Sequence, residues 1–183
     1  MDRRQRKTRE AIFRAFIELL SQKDFNQITV GEIIDRADIG RATFYAHFET
    51  KDYLLKELCE ELFCHLFDSM HKDENHHRHI FDCDAPSSVF LHLFRHLQKN
   101  DNNILELLSG SNNELFLRYF KENLRRLVEN QLSTFDAEKS AHLPESFRVN
   151  HIVSTFVETA RWWVDNGLKE TPEKITEYFL TVL

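Results

Sequence analysis

The side chains best suited to one specific chemistry lie within residues 41–51. Arg41 carries a planar, two-pronged donor that fits the two acceptors on the major-groove edge of guanine. Thr43 can hydrogen-bond a base or a phosphate, and Ala42 is small enough to contact a thymine methyl group. These three consecutive residues are therefore suited to reading base edges.

The next polar side chains are suited to the sugar–phosphate backbone. Tyr45 and His47 can donate to phosphate oxygens, which fixes the register of a protein on DNA but carries no sequence information. Lys51 can neutralise a phosphate, helped by the backbone N–H groups at the start of the helix that it begins.

The preceding residues predict a scaffold for these side chains. Thr29 and Glu32 have the spacing of a capping box, which begins a helix that ends near Ala37. Residues 38–40 form a three-residue turn, and a third helix covers residues 41 to about 47. This is helix-turn-helix geometry, with Thr29 also among the residues expected at DNA. An ordinary helical hairpin is the alternative.

The charge is distributed as this interpretation requires. The net charge is −6, but residues 1–51 carry 10 Lys and Arg against 8 Asp and Glu, whereas residues 52–183 carry 14 against 22. The basic residues at the start of the chain include Arg3 and Arg4, which we expect to contact DNA. Nucleic acid is therefore expected to bind only the N-terminal segment.

Composition predicts an all-α, cytoplasmic protein. Only 4 Gly and 3 Pro occur in 183 residues, which favours long helices with few turns. The 3 Cys lack framework spacing, which is typical of reduced thiols. The charged start shows no signal peptide, and no apolar run is long enough for a membrane span, so no membrane association is expected.

The predicted organisation is a helix-turn-helix domain over residues 1–50 and a larger helical domain over residues 51–183 for ligand binding and dimerisation. Helical periodicity predicts a first helix from Arg4 to Gln22 and further helices over residues 51–71, 87–99, 104–108, 114–133 and 147–165, with a last one after Thr171.

The segment ATFYAHFETKDYLL, residues 42–55, resembles the signature of the TetR family of transcriptional regulators. The matching residues are Thr43, Phe44, Tyr45, His47, Phe48, Lys51, Leu54 and Leu55. The chain departs from the pattern at Asp38, where the family usually has Gly, and at Gly40, where it usually has a Ser that often touches phosphate.

The resemblance implies a homodimer that binds double-stranded operator DNA as a ligand-responsive repressor. A cavity in residues 52–183 would take a small apolar effector, which would tilt the fourth helix and respace the two DNA-binding units. The expected interface residues are Ile152, Phe156, Trp163, Ile175 and Phe179. The expected pocket residues are Phe63, Phe67, Phe90, Phe94, Phe116, Phe120 and Trp162, for which a plain aromatic core is the alternative.

The C-terminal stretch from Arg161 to Phe179 resembles a subgroup related to an activator of dihydroxyacetone kinase genes. The sign of regulation therefore stays open between repression and activation.

Two groups of histidines raise the question of metal binding. Residues 71–79 are His-rich but lack the spacing of a structural zinc site, so a solvated loop is favoured. His92 and His96 are one turn apart on a predicted helix, as in two-His metal sites. No third ligand is apparent in the sequence, so we expect no metal and no cofactor.

Two other classes of protein remain as alternatives. No nucleophile elbow, phosphate-binding Gly loop or zinc-protease helix is present, so an enzyme is not expected. A helical adaptor that has lost DNA binding would fit Asp38 and Gly40, but it has no need for the basic residues beside the predicted DNA-reading helix.

Overall fold

The computed structural model describes residues 3–71, 88–99, 107–108, 114–132 and 142–183, with backbone alone for residues 67–71 and 99. Phe67 and the His-rich residues 71–79 therefore lie outside the described side chains. The predicted all-α class is confirmed, because the described residues form helices and no strand. The helices are α1 (Arg3–Leu20), α2 (Val30–Ala37), α3 (Arg41–His47), α4 (Lys51–His71), α5 (Val89–Lys99), α6 (Glu114–Gln131), α7 (Glu145–Asp165) and α8 (Pro172–Thr181).

The first three helices pack around a cluster of phenylalanines. The ring centroids of Phe13 in α1 and Phe48 after α3 are 5.4 Å apart, and both rings are buried. Phe16 packs on Phe25, which lies in a single 3₁₀ turn between α1 and α2. Each fully buried ring contributes about 1.5–3 kcal/mol through apolar burial. This cluster fixes the position of α3 relative to α1.

Helix α4 contacts both the N-terminal and the C-terminal helices. Near its start, Glu57 and Glu61 accept hydrogen bonds from Arg9 of α1 at 2.6 and 3.1 Å. Further along, Phe63 packs on Phe120 of α6, with ring centroids 5.3 Å apart. The buried residues form one continuous core from α1 to α8. The predicted domain boundary at residue 50 stays a prediction.

The C-terminal helices enclose a second aromatic cluster. Phe94 of α5 stacks on Phe156 of α7 at 4.5 Å, and Phe90 contacts Phe179 of α8 at 5.0 Å. The side chain of Trp163 is buried, and its indole N–H donates to the carbonyl oxygen of Glu170 at 2.9 Å, which fixes the turn between α7 and α8. None of the described helices is long and apolar enough to cross a membrane.

Candidate nucleic-acid interface

The predicted capping box at the start of α2 is present. Thr29 Oγ1 accepts from the Glu32 backbone N–H at 3.3 Å, and the Glu32 carboxylate accepts from the Thr29 N–H at 2.9 Å. Glu32 also pairs with Lys23. The bond from Lys23, with those from Thr29, lowers the pKa of the Glu32 carboxyl to about 2, so this cap stays ionised at neutral pH. The role of Thr29 at DNA stays a prediction, since its hydroxyl also donates to Glu32.

The turn between α2 and α3 tolerates the residues that depart from the family pattern. Asp38 adopts the left-handed conformation, with φ 52° and ψ 52°, and ends α2. Asp is one of the few residues apart from Gly that adopt this conformation readily. The Ile39 N–H then bonds to the Ile34 carbonyl at 3.2 Å, which closes the helix end. Gly40 precedes α3 in an extended conformation that any residue can adopt.

Helix α3 presents its predicted base-reading side chains outward. Phe44 and Phe48 are fully buried and anchor one side of the helix. Arg41 and Ala42 are exposed on the other side, and Thr43 is half-buried. Several arginines form ion pairs with acidic side chains. Among the described residues, no ion pair includes Arg41. The structure therefore leaves the Arg41 guanidinium available for a ligand.

The predicted phosphate-binding residues differ in exposure. Tyr45 is exposed and packs edge-on against Phe44, and His47 is half-buried beside Phe48. Arg3 and Arg4, at the start of α1, are both exposed. These placements permit the predicted contacts, which stay predictions.

Lys51 has partners that the sequence did not indicate. Its ammonium group donates to the carbonyl oxygens of Phe25 and Ile28, both at 2.7 Å, and to that of Asn26 at 3.4 Å. It also lies 4.4 Å from the centroid of the Phe25 ring. Partial burial lowers the pKa of Lys51 below its usual range. Lys51 therefore ties the start of α4 to the segment before α2, which is a positioning role.

Replacing Lys51 should chiefly destabilise the protein. Lys51→Met leaves three carbonyls without their charged donor, so we expect a loss of about 1.5–3 kcal/mol in unfolding free energy, measured by thermal or urea denaturation. Lys56→Met is the matched control, because Lys56 pairs with Glu60 on the surface. If stability were unchanged and the slope of log DNA affinity against log salt concentration became shallower by about 1, Lys51 would instead bind a phosphate.

Five of the seven predicted pocket residues belong to a packed aromatic core. Phe63, Phe90, Phe94, Phe116 and Phe120 are all buried. Phe63 and Phe116 contact Phe120. The rings of Phe90, Phe94 and Phe120 each contact Phe156, which was predicted for the dimer interface, and those of Phe120 and Phe156 stack at 6.3 Å. The buried residues that were predicted for a pocket and those predicted for a dimer interface therefore belong to the same cluster.

The predicted dimer interface is wrong as a surface of the folded chain. Ile152, Phe156, Trp163, Ile175 and Phe179 are at most 5% exposed in the single chain. They form the side of α7 and α8 that faces α5 and α6. The periodicity of apolar residues correctly marked one buried stripe, but it could not indicate whether the chain itself or a second copy covers that stripe.

The two adjacent tryptophans differ in burial in the opposite way to that expected. Trp163, assigned to the interface, is fully buried, whereas Trp162, assigned to the pocket, is 48% exposed. Trp162 packs edge-on against Tyr178 of α8 at 6.2 Å, and Tyr178 is itself exposed. Tyr178 was not among the expected interface residues; it lies one residue before the buried Phe179 and so faces a different side of α8.

Two family models together match most of the chain. One, described as bacterial regulatory proteins of the tetR family, matches residues 12–58, and one described as a transcriptional regulator C-terminal region matches residues 84–183. A TetR transcriptional regulator from Streptococcus agalactiae 2603V is 37% identical, covers 99% of this chain and 96% of its own, and superposes with a TM-score of 0.71. The chain belongs to the TetR family of transcriptional regulators.

Other relatives agree with the TetR assignment. The uncharacterised helix-turn-helix-type transcriptional regulator YxbF from Bacillus subtilis (strain 168) is 41% identical over 71 residues, which cover 36% of this chain but 19% of that protein. The activator of the dihydroxyacetone kinase operon, DhaS, superposes with a TM-score of 0.61 at 22% identity, covering 96% of this chain and 93% of its own. That likeness shows the fold, and the predicted subgroup stays a prediction. The TetR family makes this chain a DNA-binding transcriptional regulator.

Proposed function

We propose that this TetR-family protein is a cytoplasmic homodimer that binds operator DNA through α3 and represses transcription until a ligand releases it. The observation that carries the proposal is the orientation of α3. Phe44 and Phe48 are buried in the core, and Arg41, Ala42 and Tyr45 face outward. A helix anchored on one side and polar on the other can enter a major groove without distorting the protein.

The outward residues divide into two roles. Arg41 pairs with guanine, while Ala42 and Thr43 contact the adjacent base edges. Tyr45 and His47 bind phosphates and set the register. The guanidinium of Arg41 needs no rearrangement to reach a base, because none of the ion pairs of the described residues involves it.

The dimer surface of this proposal is the exposed side of α7 and α8. Trp162 and Tyr178 form a contacting aromatic pair there. Phe147 lies on the same side of α7 and is 58% exposed. Exposed aromatic patches of this kind are typical of protein interfaces. We expect a second copy of the chain to cover this surface through the same pair of helices.

Helix α4 provides a physical route from the C-terminal core to α3. At its start, Lys51 binds the segment before α2, and Glu57 binds α1 through Arg9. At the level of Phe63 it packs on α6. A dimer reads successive major grooves only if its two reading helices lie about 34–36 Å apart, or a multiple of that. A ligand that favours another orientation of α4 must therefore weaken DNA binding by linkage.

A small apolar effector remains part of the proposal. The ring of Phe120 on α6 lies 5.3 Å from that of Phe63 on α4 and 5.7 Å from that of Phe116, also on α6. An apolar molecule that binds among these rings has to separate them, which would move α4 directly.

The adaptor alternative loses its main support, because Asp38 and Gly40 both fit the turn. A Cβ atom at Gly40 would lie 3.7 Å from Thr43 Oγ1, which is an ordinary contact. We therefore expect Gly40→Ser to cap α3 and to tighten DNA binding several-fold by adding a phosphate contact. Gly40→Ala is the control, and equal affinities of the Ser and Ala variants in fluorescence anisotropy would rule out that contact.

Fluorescence anisotropy with DNA from upstream of the protein's own gene, titrated across salt, tests the proposed operator binding. We expect tight binding that resists unrelated competitor DNA and weakens steeply with salt. A promoter–reporter fusion then gives the sign of regulation. Reporter expression that rises when the protein is present would show that the protein activates transcription rather than repressing it.

A further inference from the structure

A group of three histidines lies between α4 and α5, far from α3 in the sequence. His92 and His96 are one turn apart on α5, and their Nε2 atoms are 3.0 Å apart. His65 of α4 completes the group, with its ring centroid 5.1 Å from that of His92 and 4.7 Å from that of His96. The sequence indicated no third ligand, but the fold supplies one.

We propose that His65, His92 and His96 bind a divalent first-row transition-metal ion. One ring nitrogen from each histidine lies within 4.8 Å of the other two. Around a tetrahedral ion at about 2.0–2.1 Å from each nitrogen, ligand nitrogens are roughly 3.4 Å apart. The His92–His96 separation is within a few tenths of an ångström of that value. Bringing a nitrogen of His65 from at most 4.8 Å to that spacing needs a shift of at most about 1.4 Å.

The donor chemistry selects the class of ion. Three imidazoles suit zinc, nickel, cobalt or copper and do not suit calcium or magnesium, which prefer oxygen ligands. Metal ligation also requires neutral imidazole. Burial, followed by the charges of His65 and Arg95, lowers the pKa of His92. Arg95 itself points to Glu173 of α8 and pairs with it at 2.8 Å.

The surroundings of the three histidines are more typical of an ion-binding site than of a polar surface. His92 and His96 are 1% and 3% exposed, while His65 is half-buried. The neighbouring positions on the buried side of α5 are apolar, including Leu93 and Leu97. The ordinary alternative is a hydrogen-bonded pair of neutral histidines in the core, with His65 packed against it. That arrangement would bind no metal, so a metal titration distinguishes the two interpretations.

The position of the site gives it a regulatory consequence, which rests on the proposed function. His65 lies on α4, and the other two ligands lie on α5. A bound ion therefore links α4 to α5 and changes the orientation of the helix whose start positions α3. Metal binding should then change the affinity of the dimer for operator DNA.

Direct titration of the full-length protein tests the site without DNA. After dialysis against a chelator, Zn²⁺ is added in a calorimeter, and Co²⁺ is followed by its visible absorption. We expect one ion per chain and a rise in Tm of several degrees with excess Zn²⁺. His65→Gln should weaken binding by roughly 100-fold or more, since even residues that only support ligands cost 10–100-fold.

Two control variants isolate the three-histidine site. The triple variant His76→Asn, His77→Asn, His79→Asn removes histidines of the His-rich segment and should retain binding. His151→Gln removes an exposed histidine that stacks on Phe147 and should also retain it. Equal Zn²⁺ affinity in wild type and His65→Gln, or no binding by wild type whose circular dichroism shows it folded, would overturn the proposal.

Anisotropy with operator DNA, with and without Zn²⁺, tests the regulatory consequence separately. A change in affinity in the wild type that His65→Gln abolishes is the expected result. Metal binding with unchanged DNA affinity would overturn the regulatory role alone. A metal-free protein that binds no DNA would overturn the proposed function and leave the metal titration valid.

Discussion

Trp162→Asp is expected to produce a folded monomer that binds operator DNA about 10²–10⁴-fold more weakly than the wild type. Trp162 is exposed, so its replacement leaves the core of the single chain intact. In the proposed dimer the same position is buried between two copies, where an unpaired carboxylate and the loss of a central aromatic each cost several kcal/mol. Loss of the dimer removes the second half-site contact, which accounts for the weaker DNA binding.

Sedimentation velocity and near-UV circular dichroism measure the two effects of Trp162→Asp. Trp162→Phe is the matched control and should remain dimeric, because it keeps an aromatic ring against Tyr178. Phe156→Asp offers a contrast, since it places a charge in the core and should unfold the chain rather than give a folded monomer. A Trp162→Asp variant that sediments as a dimer would show that another surface forms the interface.

Arg41→Ala is expected to weaken operator binding by about 1–3 kcal/mol, or roughly 5- to 150-fold, and to relax base preference at one position of each half-site. The exposed guanidinium has the geometry for a bidentate bond to guanine, and Ala has no donor to replace it. Binding to non-specific DNA should fall much less, because that binding depends on the total number of phosphate contacts.

Arg36→Ala provides the charge control for Arg41→Ala. Arg36 is on the surface of α2 and pairs with Glu18 of α1, so its removal also deletes one positive charge from the N-terminal domain. Competition assays with single-base operator variants measure preference in both proteins. If Arg41→Ala kept the base preference of the wild type, Arg41 would be a phosphate ligand rather than a base reader.

The helix-turn-helix could be predicted from the sequence because its signals are local. Thr29 and Glu32 are three residues apart and bond to each other. Asp38 directly follows the last residue of α2 and ends that helix through its own backbone conformation. Such features depend on a few consecutive residues, so they form in the same way whatever the rest of the fold.

The partners of Lys51 and His65 could not be predicted in this way. Lys51 binds carbonyl groups more than twenty residues earlier in the chain, and His65 meets histidines on the next helix. These contacts are set by how helices pack rather than by spacing along one helix. One signal was available for His65: it lies three residues after the buried Leu62, on the inner side of α4.

The error over the dimer surface has a different cause. The apolar stripe of α7, which includes Phe156 and Trp163, was recognised correctly, but a stripe can be covered by the same chain or by another. In this protein α5 and α6 cover it. The exposed side chains of α7 and α8 include Trp162, which the sequence reasoning had assigned to the pocket.

Selection from a pool of random duplexes tests the central claim most directly, because the operator sequence does not have to be known in advance. The purified protein should enrich a two-fold symmetric motif whose half-site centres are about 34–36 Å apart, or a multiple of that. Arg41→Ala should lose the preference for one base pair in each half. A folded, dimeric protein that enriches no motif and binds no duplex even at low salt, where phosphate attraction is strongest, would contradict the account.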